Sequence, residues 1–406
     1  MTERPLDDRY CEVRSRTEAL AAPLSGEDQT VQSMLDVSPT KWHRAHTTWF
    51  FETFVLSGTA QSTPFDPAFD FLFNSYYESV GPRFERARRG LLSRPGAAEV
   101  GRYRNDVDTR MLSLLAGELA GRQLDLVVLG LHHEQQHQEL LLMDAKHVLS
   151  QHPQGAVYVE APDTDPTGER RTARPIEIDG GVVEIGASGD GFCFDNELPR
   201  HRELLEPCAI EPTLVSNGEF VAFIEDGGYE RPELWLSEGW ALVTANRWHA
   251  PFYWTKEDGS WHRFSLFGAR SVADDEPVTH VSYFEADAFA RWSGARLPTE
   301  AEWEVAAASQ PTDVPFALEP PPVTSGPGFY GSVWQWTQSA YSPYPGFRAA
   351  PGAVGEYNGK FMVNQQVLRG GASITPERHT RATYRNFYAA ASRWPYTGLR
   401  LARDAT

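Results

Sequence analysis

Cysteine is scarce in this sequence: Cys11, Cys193 and Cys208 are the only three in 406 residues. Their separations match no metal-binding spacing, and an odd number cannot all pair, which argues against a disulfide framework. The chain also lacks an apolar run of the ~18 residues that a membrane span needs. Its N-terminal stretch, MTERPLDDRYCEVRSRTEAL, is charged and has no apolar segment typical of a signal peptide. We therefore expect a soluble protein of the reducing cytoplasm, without a membrane partner.

Positive charge is the second deficit. The chain has 37 Lys and Arg against 55 Asp and Glu, a formal net charge of −18. Binding to nucleic acid needs clusters of basic residues, so this balance predicts no nucleic-acid partner. Hydrophobic residues at 41 % and charged residues at 23 % are typical of a globular protein. A length of 406 residues is too great for one ordinary core, so two domains are expected.

The first domain is predicted to be helical. Residues 1–150 contain long stretches in which apolar residues recur at helical spacing, and four such helices favour an up-and-down bundle. One of them starts at Ser38-Pro39, an N-cap residue followed by proline at the first helical position, and is expected to end at Gly58.

The rest of the chain has a different pattern. Residues 151–175 are polar and rich in proline and glycine, and we interpret them as a linker. Residues 176–406 contain short alternating apolar runs among turn residues. Their main helical pattern is VSYFEADAFARWSGARLPTEAEWEVAAAS, which predicts one or two helices. An α+β domain is therefore expected to follow the bundle.

The strongest chemical signal is LGLHHEQQHQELLLMD, residues 129–144, in which His133 and His137 are four positions apart. On a helix these two residues share a mostly apolar stripe that faces the bundle interior, so both imidazoles can reach one metal ion. His46, in the aromatic-rich stretch KWHRAHTTWFFE, is a third buried candidate. Three neutral imidazoles without a carboxylate suit zinc or ferrous iron, and the spacing does not choose between them. The alternative is a set of hydrogen-bonded core histidines.

Residues 133–137, HEQQH, also match the H-E-x-x-H pattern of zinc peptidases, in which the glutamate is the general base. The extended peptidase pattern continues with a glycine and a third histidine, but Leu140 and Met143 occupy those positions. Glu134 lies ~100° round the helix from His133. Its side chain is therefore predicted to point away from the metal stripe or to support it indirectly, and peptidase chemistry is the less favoured interpretation.

Two further stretches contain candidate site residues. FNSYYESVGPRFERARRG combines tandem tyrosines with arginines, and arginine suits a ligand that carries a carboxylate. RATYRNFYAAASRWPYTGLRLARD concentrates polar and aromatic side chains near the C-terminus. The alternatives are plain packing and a surface charge cluster. The candidates are Tyr76, Tyr77, Arg83, Arg86, Asn386 and Phe387.

Motifs along nearly the whole chain carry a family resemblance. They are SPTKWHRAHTTWFFETFVL, FLFNSYYESVGPR, HHEQQHQELLLMD, FDNELPRHR, NGEFVAFIEDGGYERPELWLS, ARLPTEAEWE, GSVWQWTQSAYSPYPGF, GEYNGKFM, LRGG and GLRLARD. In these motifs the sequence resembles the ergothioneine sulfoxide synthases. The resemblance implies a DinB-like four-helix bundle followed by a formylglycine-generating-enzyme/sulfatase-modifying-factor-like (C-type-lectin-like) domain. It also implies an enzyme whose non-haem Fe(II) and O2 join the sulfur of cysteine or γ-glutamylcysteine to hercynine, the trimethylated betaine of histidine, as a sulfoxide.

The resemblance implies a role for each candidate residue. His46, His133 and His137 match the three iron ligands, and Gln136 matches a residue that contacts the hercynine imidazole. The C-terminal pair Asn386-Phe387 falls in the segment that holds the carboxylate and ammonium groups of hercynine. One of the tandem tyrosines, Tyr76 or Tyr77, would supply a proton or hydrogen atom during oxygen activation, and Arg83 and Arg86 would hold the carboxylate of the thiol.

The sequence departs from the family pattern at three places. Gln335 stands where glutamate is common, and Pro395-Tyr396 replaces a more usual Gln-Phe pair. FMVNQQVLRGGASITP lacks cysteine, which predicts no copper-binding cysteine pair and no formylglycine-generating activity. These changes bear on the second substrate, so a selenoneine synthase, which joins a selenosugar to hercynine, is the near alternative. An ovothiol-type synthase and a zinc hydrolase are less favoured.

Overall fold

The computed structural model describes residues 4–119, 121–162, 174–323 and 328–405. They form two compact units, and the first has a contribution from far along the chain. Unit 1 is Met1–Val159 with Ala350–Tyr357, and unit 2 is Glu160–Ala349 with Asn358–Thr406. Within the predicted linker, residues 163–173 lie outside the described residues. In the described part of the chain, no helix combines the length and apolar character needed to cross a membrane.

Unit 1 is a helical bundle. Its helices are α1 (Leu6–Ala21), α2 (Thr40–Phe50), the short α3 (Phe69–Phe73), α4 (Ala97–Leu115) and α5 (Arg122–Ser150). The long helix α5 packs against α1 and α2, and α2 also packs against α4. The four long helices coincide with the four periodic stretches, because each buries one apolar stripe against its neighbours.

The start of α2 differs slightly from the sequence prediction. Pro39, and not Ser38, is the N-cap residue, and the helix begins at Thr40. Ser38 is used elsewhere: its backbone N–H donates to Asp144 at 2.7 Å and its hydroxyl accepts from Arg89 at 2.9 Å. After Phe50 the chain continues through a wider π-helical turn, Phe51–Leu56, and leaves the helix before Gly58.

Unit 2 contains four helices among its described residues, α6 (Asn217–Glu225), α7 (Ser237–Asn246), α8 (Tyr283–Trp292) and α9 (Glu300–Ala307). The last two lie in the stretch that was predicted to be helical. The helix α6 was not predicted, although Ser216 and Glu219 form a reciprocal capping box at its start. Short helices of this kind depend on tertiary packing, so periodicity alone detects them poorly.

The strands of unit 2 are short. They are β1 (Ile176–Ile178), β2 (Gly181–Ile185), β3 (His201–Leu205), β4 (Cys208–Ile210), β5 (Trp254–Glu257), β6 (Ser260–Ser265), β7 (Gly268–Ser271), β8 (Trp334–Ala340), β9 (Gln366–Arg369), β10 (Asn386–Tyr388), β11 (Thr397–Gly398) and β12 (Ala402–Asp404). They form sheets ordered β1-β4-β12, β2-β3, β5-β6-β7 and β10-β9-β8-β11. Pairing is antiparallel except between β8 and β11. A core around Trp303, Phe329 and Tyr330 packs against the first two sheets.

Two of the departures from the family pattern are buried in this unit. The Gln335 side chain accepts hydrogen bonds from the Trp303 indole at 2.8 Å and from Arg400 at 3.0 Å, and its amide donates to the Phe329 carbonyl at 2.6 Å. A glutamate could not make the last bond, because an ionised carboxylate has no donor. Tyr396 is fully buried, and its hydroxyl is 3.2 Å from the Leu318 carbonyl. Both residues thus have structural roles within unit 2.

Candidate metal centre

Three histidines meet in the interior of unit 1. His46 lies on α2, and His133 and His137 lie one turn apart on α5. One ring nitrogen from each comes within 4.8 Å of the others. The ring centroids are 4.7 to 4.9 Å apart. The packing of α2 on α5 thus brings together the residues that the sequence singled out from two distant stretches.

The ring nitrogens of this cluster are poorly satisfied by protein atoms. His46 Nε2 and both ring nitrogens of His133 are buried without a hydrogen-bond partner among the described atoms. A polar atom in that situation costs roughly 1–3 kcal/mol. His46 Nδ1 lies 2.6 Å from the Phe73 carbonyl, so Nδ1 carries the proton and Nε2 presents a lone pair. Unpaired nitrogen lone pairs that converge in this way fit a bound metal ion.

The surroundings keep these imidazoles neutral. Burial lowers the pKa of His133 to about 3. Burial, and then the neighbouring histidines, hold the pKa values of His46 and His137 well below the usual range. A neutral imidazole is the form that binds a metal, and nitrogen donors suit zinc and ferrous iron. Three such ligands would leave coordination positions open for substrates.

Sequence reasoning missed His43, which lies on α2 one turn before His46. Its Nδ1 is 2.8 Å from Nδ1 of His137, and its Nε2 is 2.9 Å from the Asp144 carboxylate. Both residues carried a usable signal, since His43 precedes His46 by three positions and Asp144 follows His137 by seven. Helical spacing places each of them on the same face as a candidate ligand.

Glu134 faces away from the histidine cluster, as its helical position predicts. Its carboxylate accepts hydrogen bonds from Arg14 of α1 at 2.8 Å, Arg104 of α4 at 2.9 Å and the Thr17 hydroxyl at 2.6 Å. Burial alone would raise the pKa of Glu134, but the two guanidinium groups reverse this effect and hold the pKa at about 2. A carboxylate so strongly paired is a poor general base, which argues against peptidase chemistry.

This arrangement makes a testable prediction about Glu134→Gln. The free energy of unfolding should fall by about 3 kcal/mol, because two buried arginines lose their carboxylate partner. Metal content and turnover should remain close to wild type, since the residue contributes to packing and not to the cluster. Denaturant unfolding combined with metal analysis measures both. Loss of turnover with full stability and metal content would restore a catalytic role for Glu134.

Gln136, which resemblance assigns to the substrate imidazole, has a partner that the sequence did not suggest. It accepts a hydrogen bond from the hydroxyl of Tyr357, in the distant segment that completes unit 1. The Tyr357 ring lies 5.6 Å from the His133 ring and 6.1 Å from that of Tyr76. Tyr357 stands in GEYNGKFM, one of the motifs of the resemblance, but nothing in its spacing pointed to the histidines.

Glu356, the residue before Tyr357, fastens this segment to the loop of the tandem tyrosines. Its carboxylate accepts from the backbone N–H groups of Glu78 and Ser79, both at 3.0 Å, and from the Ser79 hydroxyl at 2.6 Å. Several hydrogen bonds to one ionised carboxylate make a strong attachment. Two sets of contacts therefore fix the position of Tyr357, namely its own hydrogen bond to Gln136 and the bonds of the preceding Glu356.

The tandem tyrosines have different environments. Tyr77 is fully buried, with its ring 5.0 Å from Phe54 and 5.7 Å from Trp49. Tyr76 is half-buried and is the member of the pair whose ring neighbours Tyr357. The Asn74 side chain shapes this turn, because its amide oxygen accepts from the Tyr77 N–H at 3.0 Å and its amide nitrogen donates to the Tyr77 carbonyl at 3.0 Å.

The two predicted thiol-binding arginines are exposed and have local partners. Arg83 pairs with Glu78 at 2.8 Å, and Arg86 donates to the Asp36 carbonyl. The buried member of this run is instead Arg89, whose guanidinium lies 3.3 Å from the centre of the Trp42 ring. The structure thus places Arg89 among the residues around the cluster and gives Arg83 and Arg86 partners on the surface of unit 1.

Asn386 and Phe387 lie on β10 in unit 2. The Asn386 amide oxygen accepts from the Phe387 backbone N–H at 2.9 Å. The Phe387 ring stacks on that of Tyr341, with centroids 4.0 Å apart and planes 11° from parallel. Both side chains are partly exposed, which leaves them accessible to a ligand.

Two family models match successive parts of the chain, and the second includes residues 350–357, which the structure groups with unit 1. The model of the DinB superfamily matches residues 9–141, and that of the sulfatase-modifying factor enzyme 1-like domain matches residues 160–316 and 327–405. The hercynine oxygenase of Mycolicibacterium thermoresistibile is 31% identical over 406 aligned residues, which cover 91% of this chain and 88% of that protein. The chain belongs to the hercynine oxygenase family. The family resemblance and the fold class predicted from the sequence are thereby confirmed.

The chain is also similar to a second hercynine oxygenase and to a formylglycine-generating enzyme. The hercynine oxygenase of Mycobacterium tuberculosis is 31% identical over 401 residues and matches 91% of both chains. The formylglycine-generating enzyme of Streptomyces coelicolor is 30% identical over 295 residues, covering 58% of this chain and 91% of that enzyme.

The three cysteines of this chain form no disulfide, and two of them, Cys193 and Cys208, lie in unit 2.

Proposed function

We propose that this chain is a non-haem Fe(II), O2-dependent enzyme that joins the sulfur of a thiol, cysteine or γ-glutamylcysteine, to the imidazole carbon of hercynine as a sulfoxide. The reaction balances as hercynine plus thiol plus O2 giving sulfoxide plus water. The C–H and S–H bonds are replaced by C–S, the sulfur gains one oxygen atom, and the second leaves as water. The observation that carries the proposal is the buried three-histidine cluster with unpaired ring nitrogens.

His46, His133 and His137 would hold the iron. When bound, the ion supplies the redox chemistry that couples oxidation of the two substrates to reduction of O2. The protein's own contribution begins with neutral ligands, which leave the charge of the ion uncompensated and so favour an anionic thiolate beside it. The aromatic surroundings of the cluster, including Trp42 and Phe50, exclude water from this side of the site.

Gln136 and Tyr357 would orient the substrate. The Tyr357 hydroxyl fixes the Gln136 side chain by donating to its amide oxygen, which directs the amide N–H groups elsewhere. One of these would donate to a nitrogen of the hercynine imidazole and hold the ring edge toward the sulfur. Correct orientation of two reacting groups supplies a large share of a rate enhancement. One of the tandem tyrosines, Tyr76 or Tyr77, would supply a proton during the reaction.

The test of this function is direct. Iron-loaded protein is incubated aerobically with hercynine and, separately, cysteine, γ-glutamylcysteine or a selenosugar, and the products are identified by mass. We expect a hercynine sulfoxide adduct with one of the two thiols. An adduct with the selenosugar alone would show that the second substrate is a selenium donor and not a thiol. No adduct with any donor, or peptide hydrolysis by the zinc-loaded protein, would overturn the proposal.

Asn386→Ala tests the assignment of β10 to hercynine. The variant loses an amide whose oxygen is held by the Phe387 backbone and whose N–H groups would face the carboxylate of the substrate. We expect the KM for hercynine to rise about tenfold or more, as for loss of a hydrogen bond to a charged group. Iron content and the KM for the thiol should stay near wild type. An unchanged hercynine KM would remove Asn386 from the binding site.

A further inference from the structure

A chain of hydrogen bonds leads from one of the cluster histidines into the core of unit 1. His137 contacts His43 through their Nδ1 atoms at 2.8 Å, and His43 Nε2 lies 2.9 Å from Asp144 Oδ2. His43 and Asp144 are almost fully buried, with 3 % and 2 % of their surface exposed. Neither residue has a role in the function proposed above, yet both are polar groups placed in the interior at a cost.

The chemistry of these contacts determines where the protons lie. An ionised carboxylate only accepts hydrogen bonds, so Nε2 of His43 carries a proton and donates it to Asp144. A neutral imidazole has one N–H, and therefore Nδ1 of His43 is an acceptor. His137 must then donate from its own Nδ1, which leaves the lone pair on Nε2 of His137.

Asp144 is itself held in place. Its Oδ2 also accepts from the Ser38 backbone N–H at 2.7 Å. The Ser38 hydroxyl accepts from Arg89, whose guanidinium lies against the Trp42 ring. Trp42 in turn stacks on His46, with ring centroids 4.6 Å apart and planes 12° from parallel. Arg89 is therefore connected to His137 through Ser38, Asp144 and His43. It is connected to His46 through the Trp42 ring.

We propose that His43 and Asp144 are positioning residues of the metal centre, which fix the tautomer and ring orientation of His137 so that its Nε2 faces His46 and His133. The inference rests on the metal site of the proposed function. It goes further by giving a reason for a buried histidine and a buried carboxylate that bind neither metal nor substrate. Metal-bound histidines in proteins commonly donate their second ring N–H to such a partner, and its loss typically weakens metal affinity 10–100-fold.

Affinity for Co(II), measured by competition with a chelator, tests the proposal without turnover. We expect His43→Leu to bind Co(II) about 10–100-fold more weakly than wild type and to change the visible absorption of the bound ion, because the ring of His137 is no longer held. His43→Asn keeps an acceptor oxygen near the position of Nδ1, so its affinity should lie between those of His43→Leu and wild type. Asp144→Asn should likewise be milder than Asp144→Ala.

Thr17→Val is the matched control. It removes a buried hydrogen bond to Glu134 in the same bundle, on the side that the cluster does not use. We expect it to lose stability and to keep wild-type Co(II) affinity and absorption. If His43→Leu keeps both properties of wild type, or if His43→Asn and Thr17→Val are as impaired as His43→Leu, the positioning role is wrong. A wild-type chain that binds no Co(II) would overturn the metal centre itself.

Discussion

His137→Ala should give a folded protein that retains no iron and forms no hercynine adduct. The substitution removes one of three ligands from a buried site whose remaining donors are two neutral imidazoles. Two neutral imidazoles bind ferrous iron weakly, because the protein then contributes one coordination bond fewer. Metal analysis after anaerobic reconstitution, together with product mass, measures both losses. We also expect zinc to compete with iron and to inhibit the wild-type enzyme.

His147→Ala provides the control for this experiment. His147 lies on the same helix, is also buried, and has its Nδ1 atom 2.6 Å from the Ser33 hydroxyl. Its loss should affect stability to a similar degree and leave iron binding intact. Iron retained by His137→Ala at wild-type level would show that the ligand set is wrong. A zinc-loaded enzyme as active as the iron form would remove the redox role of the metal.

Tyr357→Phe is expected to have the second largest effect. It deletes the hydroxyl that donates to Gln136, on a ring that lies 5.6 Å from the ring of His133 and 6.1 Å from that of Tyr76. Misplacement of a reacting group by about 1 Å can lower a rate ~10²-fold. We expect formation of the sulfoxide adduct to fall by about that factor, or O2 consumption to be diverted to oxidation of the thiol. Co(II) affinity should not change, since no metal ligand is touched.

Two further tyrosine variants make this prediction specific. Tyr76→Phe should lower adduct formation as well, because Tyr76 is one of the two tandem tyrosines expected to supply a proton. Tyr103→Phe removes a buried hydroxyl that donates to Glu52 at 2.7 Å and serves as the control. Full activity of Tyr357→Phe would exclude a role for this hydroxyl in the reaction.

The fold could be predicted well where one element supplies its own signal. The helix that carries His133 and His137 is long, strongly periodic and rich in apolar residues, so both its existence and its buried face follow from spacing. The short helix α6 and the strands of unit 2 lack such a signal. They are stabilised by contacts between segments that are far apart in sequence, and these contacts are invisible to a local pattern.

The candidate site divides in the same way. His133 and His137 form a pair that one helix explains, and His46 was found because its neighbours must be buried. Tyr357 could not be found, because its place beside Gln136 depends on how the chain returns to unit 1. His43 was overlooked although it lies three positions before His46, because helical spacing alone does not distinguish a histidine that contacts a ligand from a packed core residue.

That return of the chain has a consequence for how the protein is made. The residues Ala350–Tyr357 belong to unit 1 but are translated only after Glu160–Ala349. At ~5–20 residues per second, the ribosome needs on the order of tens of seconds to cover this interval. During that time unit 1 lacks Tyr357 and the hydrogen bonds of Glu356. The three histidines of the cluster are therefore synthesised well before the hydroxyl that donates to Gln136. A chain that ends at Val159 would contain the three histidines and would lack Glu356 and Tyr357.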